Sequence, residues 1–235
     1  MKKIVLLGIA LITLFSQGTK AQIEDAGQNY IKMQFVQPLG QYKDYYKSGF
    51  GVEFGRMFPL RFDIADGLIL PGLDITFVDF TFNTGKQYDY FRYPNDDSGE
   101  WFSTQKGVVF NFSLAKIGPM VTIGITDGLV ADFAVQYVPT FVWSIRKGVD
   151  KNNWENNGTV KEKTASSFSY ASRVGFKGDI RYSHFLFGLE FLVGSTTLNY
   201  SSDILPIKDK SGDPKFISET SMGLGTLLLN FGFTF

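Results

Sequence analysis

His184 is the sole histidine of the chain, and Ser183 stands beside it in "RYSH", residues 181 to 184. A serine hydrolase needs its histidine within hydrogen-bond reach of both the nucleophile and a carboxylate. Neighbours on an extended strand point to opposite faces, and "RYSH" reads as a tight turn between two apolar runs, so His184 is expected as a turn residue. The acidic run "PNDDSGE" (94 to 100) offers the oxygens that hard cations accept. It lacks the spaced Asp-x-Asp-x-Asp-Gly order of a dedicated calcium loop, and reads as a solvated loop tip. The sequence has no phosphate-cradling glycine loop, no paired Asp and His constellation and no cysteine, hence no disulfide framework. The expectation is a protein with no catalytic residue, no metal and no cofactor.

The remaining charges fall into step with apolar residues. Lys32, Glu53, Arg61, Asp63, Asp74, Lys116, Asp132, Arg173, Lys177, Asp179 and Glu190 occupy the face opposite an apolar set in their segments. Both signs are present, so on a shared buried face they must pair to offset desolvation. A second group lies in "TGKQYDYFRYPNDDSGEWFSTQK" (84 to 106), where Tyr88, Tyr90, Phe91, Tyr93, Trp101 and Phe102 alternate with charges. Such a mixture makes contact hot spots, and it also makes an aromatic girdle at a membrane surface; the sequence leaves both open.

Strands must position these residues. "YIKMQF", "GFGVEF", "GLDITF", "VADFAVQY" and "HFLFGLEFLV" alternate apolar and polar side chains, the two-residue period of a strand. Short breaks at 65–68, 126–129 and 181–184 alternate with long ones at 38–48, 84–106, 147–163 and 200–218, and two of the short ones carry Asp-Gly, a strong hairpin signal. Seven connections give eight strands, near 28–37, 48–64, 68–83, 107–125, 129–146, 164–180, 184–199 and 219–235. Two faults stand out. Arg56 falls on the apolar face, and counting from the turn at 65 places it near the long-loop rim. The fourth strand changes phase near Gly118 and Pro119, which predicts a bulge there.

The N-terminal stretch 1–21 has two lysines, an apolar run from Ile4 to Phe15 and Thr19-Lys20-Ala21, the layout of a secretory leader. Its apolar run is shorter than the roughly 20 residues of a spanning helix. Without Lys2, Lys3 and Lys20, a chain of 23 basic and 23 acidic side chains becomes weakly acidic, which argues against nucleic acid as a partner. The last strand, "LLLNFGFTF", places Leu229, Phe231, Phe233 and Phe235 on one face. A bare apolar edge of this kind is a liability in water, but it fits a sheet closed on itself with lipid outside.

Export, the strand pattern over 22–235 and a final strand ending in phenylalanine resemble the eight-stranded outer-membrane barrel families of Gram-negative bacteria, of the OmpX and OmpA-barrel type. The resemblance implies an all-β, transmembrane, up-and-down antiparallel barrel with long loops outside the cell and termini in the periplasm. It also implies a terminal strand that looks like the family's signal to the outer-membrane assembly machinery. The expected reading is a monomeric, non-enzymatic barrel in outer-membrane lipid, its lumen filled by ion pairs, acting in membrane integrity or through loops on an extracellular protein or glycan. A narrow pore, a lipid-modifying barrel enzyme and a soluble exported sandwich or lipocalin-like barrel are the alternatives.

Overall fold

The computed structural model describes residues 28–60, 64, 68–87, 89–92, 100–103, 107–150, 162–208 and 214–235. The leader at 1–21, the acidic tip at 94–99, Arg61, Asp63, Tyr88 and Tyr93 lie outside these residues. Alternation of side chains yields β1 (Asn29–Pro38), β2 (Tyr46–Pro59), β3 (Ile69–Gly85), β6 (Val108–Thr126), β7 (Leu129–Val149), β8 (Glu162–Tyr182), β9 (Phe185–Lys208), β10 (Pro214–Gly223) and β11 (Thr226–Thr234). A single helical turn, α1 (Tyr42–Tyr45), precedes β2, and a small hairpin of β4 (Asp89–Arg92) and β5 (Glu100–Ser103) forms a sheet of its own. The segment 84–106 is therefore not wholly loop.

Each long strand is antiparallel to its neighbours in the order β1, β2, β3, β6, β7, β8, β9, β11, and the ring closes where Met33 faces Phe231 and Phe35 faces Leu229. β10 pairs with the upper part of β9 and β11 with the lower part, so the two form one stave interrupted at Leu224 and Gly225. The product is an eight-stranded up-and-down barrel whose ring is closed by the pairing of β1 with β11, the arrangement that satisfies ladder hydrogen bonds without water.

The outer wall is a belt of large apolar side chains: Met33 is 69 % exposed, Phe187 57 % and Phe233 44 %. Rings pack across strands, Phe187 on Phe231 at 4.9 Å and Phe185 on Phe233 at 5.3 Å between centroids. Two-residue turns at Asp127-Gly128 and Ser183-His184 join β6 to β7 and β8 to β9. Gly128 has φ 74°, which glycine adopts without a Cβ penalty. These turns share one rim with the closing pairs Asn29–Phe235 and Thr234–His184. At the other rim β7, β8 and β9 run to 21, 21 and 24 residues. A tilted strand crosses hydrocarbon in about 9–11 residues, so their upper halves stand beyond the belt.

Two bulges break the period. Phe77 and Val78 both face outward, as do Leu114 and Ala115. β3 slips by one against β2 between Phe54–Val78 and Gly55–Thr76, and β6 slips by one against β7 between Ser113–Thr140 and Ile117–Tyr137. The two bulges lie side by side and keep β3 and β6 in register. The phase change of β6 thus sits at Ala115, with φ 54°, three residues before the Gly118-Pro119 position expected from sequence. Arg56 faces outward, stacked at 5.2 Å on Phe58, and its backbone pairs with Asn29. It therefore lies toward the short-turn rim, not the long-loop rim, because β2 ends at Pro59 and not at 64, which leaves Arg56 three residues from the end of the strand.

Candidate functional site

The inward positions converge on a charge cluster in the middle of the barrel. Lys116, on β6, reaches Glu53 on β2 at 2.8 Å, Asp79 on β3 at 2.9 Å and Glu190 on β9 at 2.9 Å. Lys177, on β8, reaches Asp74 at 2.6 Å and Glu53 at 3.1 Å, and Lys32 on β1 reaches Asp179 at 2.6 Å and Glu53 at 3.6 Å. Glu53 is thus shared by three lysines from three strands. Lys116 and Glu190 have no accessible side-chain surface. Tyr30 completes the floor, its ring under Lys177 at 4.4 Å and Lys32 at 4.6 Å and its hydroxyl bonded to Asp74 at 2.9 Å. Attraction at this separation in a poorly hydrated interior far exceeds its value in water, which is what lets a barrel of this width keep ionised groups inside.

Nearer the short-turn rim a separate pair closes the barrel. Arg181 donates through Nε to Asp132 and through Nη1 to Gln28 at 2.9 Å, while Thr122 donates to the same Asp132. Between this pair and the charge cluster lies an apolar layer of Tyr30, Met57, Met120, Ala134 and Leu186.

Above the cluster the lumen changes character. α1 turns inward across the long-loop end and buries Tyr42, while Tyr46 follows it at the start of β2. Tyr42 donates to Asn83 at 3.2 Å and accepts from Asn111 at 3.1 Å; Tyr46 shares a 2.7 Å hydrogen bond with Ser144. Both rings join Val109, Val142, Ala165, Leu198, Tyr200, Met222 and Leu224 in one core. The lid is fastened by the backbone: Leu39 donates to Gly225 at 2.7 Å, Gly223 donates to Gln41 Oε1 at 2.9 Å, and Lys86 donates to Tyr45 at 2.9 Å. The interruption of the last stave at Leu224-Gly225 is what exposes these groups to the lid.

Of the sequence-selected charges, Lys32, Glu53, Asp74, Lys116, Lys177, Asp179 and Glu190 meet in the cluster, and Asp132 sits in the lower pair. Arg173 is buried but stands above them, its Nε donating to Thr140 at 2.9 Å; the pairing with a carboxylate expected for it is not made among the described residues. Asp79, Arg181 and Arg146 belong to the lumen as well, beyond the charges that alternation selects. Strict alternation from Leu73, Ile75 and Phe77 turns Asp79 outward, and only the bulge at Phe77-Val78 returns it inward. His184 is exposed in its turn. Tyr90 faces Phe102 and Phe91 faces Trp101 along the β4–β5 ladder.

No protein-family model matches this chain, and no curated protein does. Among solved structures, Ail, the attachment invasion locus protein of Yersinia pestis, in complex with the heparin analogue sucrose octasulfate, is similar at 13 % identity, with 90 % of this chain and 100 % of that chain covered and a TM-score of 0.35. At that identity and score the match says nothing of a ligand here.

Proposed function

We propose that the protein is an integral outer-membrane barrel with a filled lumen, acting without catalysis through the parts that rise above the membrane. The observation that carries this reading is the union of an apolar outer belt with an interior closed in two storeys, the Lys116 cluster below and the Tyr42–Tyr46 lid above. An apolar belt of this size suits lipid and not water, and the shared ion pairs of the interior support a filled lumen. The long walls of β7, β8 and β9 and the β4–β5 hairpin present the surface for an extracellular protein or glycan. The charged side chains of the central cluster are engaged with one another, and His184 lies at the periplasmic turn rim, away from the long-loop end.

Cell fractionation with planar-bilayer recording tests this. The protein should co-sediment with outer membrane, migrate faster unboiled than boiled, and pass no stepwise current. Steady channels with ion selectivity would replace the filled lumen by a narrow pore; extraction without detergent would overturn the membrane reading altogether.

A further inference from the structure

Arg146 lies at the top of the lumen on β7 and is 7 % exposed. Its neighbours are rings: Tyr45 and Tyr46 at 5.0 Å and Tyr200 at 5.9 Å from the guanidinium carbon. Aromatic faces attract a cation and the Tyr46 hydroxyl also supports the Arg146 charge, but neither occupies the Nε and Nη2 N–H groups. Nε and Nη2 both lack a hydrogen-bond partner. These two nitrogens are the side-on edge of the guanidinium, whose parallel N–H bonds match two oxygens of one oxyanion. Burial raises the Tyr200 hydroxyl above its ordinary range, so that ring stays neutral and supplies no counter-charge.

A second orphaned group stands close by. Ser167, on the facing strand β8, is buried with its Oγ unpartnered. It pairs across the ladder with Ser144, whereas Arg146 pairs with Ala165, so the two unpaired groups occupy diagonal inward positions. Ser144 cannot serve either of them freely, because its Oγ already bridges Tyr46 at 2.7 Å and Tyr200 at 3.0 Å. Buried donors without partners are rare in folded proteins and call for an explanation; a buried cation whose forked edge is empty calls for an anion.

We propose that the mouth of the barrel binds a small oxyanion group, gripped by the Nε–Nη2 edge of Arg146 with Ser167 Oγ as a further donor, between the tyrosine rings and beneath the α1 lid. The half-buried Tyr45 forms the outer wall, so the group enters from the long-loop side.

The test uses the full barrel in a non-ionic detergent. Its thermal midpoint is titrated with sodium sulfate and with sodium phosphate against sodium chloride at matched ionic strength. The wild type should show a saturable rise with sulfate or phosphate that chloride does not reproduce. Arg146→Lys keeps the charge but loses the fork, and the apparent affinity should fall about tenfold or more; Ser167→Ala should weaken it by about threefold. Should Arg146→Lys fail to fold, Ser167→Ala carries the comparison. A rise on glucose 6-phosphate as well as on inorganic phosphate shows entry of the group on a larger solute, and a rise on inorganic phosphate alone shows entry of the free ion; both uphold the site. An unsaturable rise equal in all three proteins, or a saturable rise untouched by either substitution, overturns it. Neither result bears on the filled-lumen reading, which the current recording decides.

Discussion

Lys116 and Glu190 meet at 2.9 Å in the centre of the barrel although 74 positions separate them in the chain. Neither strand could hold its charge alone, since each would face an interior too dry to solvate it. Glu190→Leu should destabilise the barrel by ~3–5 kcal/mol, the usual consequence of breaking a buried pair. Lys116→Met should cost more, because Glu53, Asp79 and Glu190 then face one another without their shared cation. Urea unfolding in detergent or bilayer measures both, and equal, small losses would indicate a hydrated lumen.

The lid should be separable from the barrel beneath it. Tyr42→Phe removes the bonds to Asn83 and Asn111 and should cost about 1–3 kcal/mol. Its signature is faster amide exchange at 39–46, with protection in β9 and β11 unchanged. Exchange rising uniformly around the ring would mean that lid and wall unfold together.

Closure depends on β11. Deleting Phe231 to Phe235 removes the pairing partners of Tyr30 to Met33 on β1 and of Phe185 to Phe187 on β9. The truncated chain should fail to reach the membrane and should be degraded, as an open barrel leaves unpaired backbone facing lipid. Normal, heat-modifiable insertion would contradict the closed ring.

The bulge at Ala115 offers a backbone test. With φ at 54°, the site is one where glycine relieves strain, and Ala115→Gly should stabilise by at most ~1 kcal/mol. Ala115→Val should destabilise by ~1–3 kcal/mol, since a β-branched residue tolerates this region poorly. The reverse order of midpoints would show that the bulge moves.

Topology is accessible in living cells. Epitopes inserted at 95–98 or 152–157 should be labelled on intact cells, and one at Asp127-Gly128 only after permeabilisation, because outer-membrane barrels in general place short turns in the periplasm and long loops outside. Surface labelling at Asp127-Gly128 would invert the orientation.

The staves and most of their facing follow from alternation along the chain. A two-residue period shows directly which residues share a face, as at Ile31, Met33 and Phe35 against Lys32 and Gln34, and Asp-Gly marks a tight connection wherever it occurs. That information is local, so it is legible from neighbours along the chain. Partner choice is not local. That Glu53 is shared by Lys32, Lys116 and Lys177 depends on the stagger at which eight strands close, and no single segment carries it. Bulges act the same way: at Phe77-Val78 one extra residue sends Asp79 inward against its own alternation, for a gain realised only once Lys116 is beside it. The inward fold of α1 was hidden for a further reason. "LGQYKDYYKSG" carries no period, and its tyrosines are buried because the opposite wall offers Asn83, Asn111 and Ser144 as partners. Arg146 became conspicuous at the same step, since a lone arginine on a strand is unremarkable until the folded walls leave its forked edge without a mate.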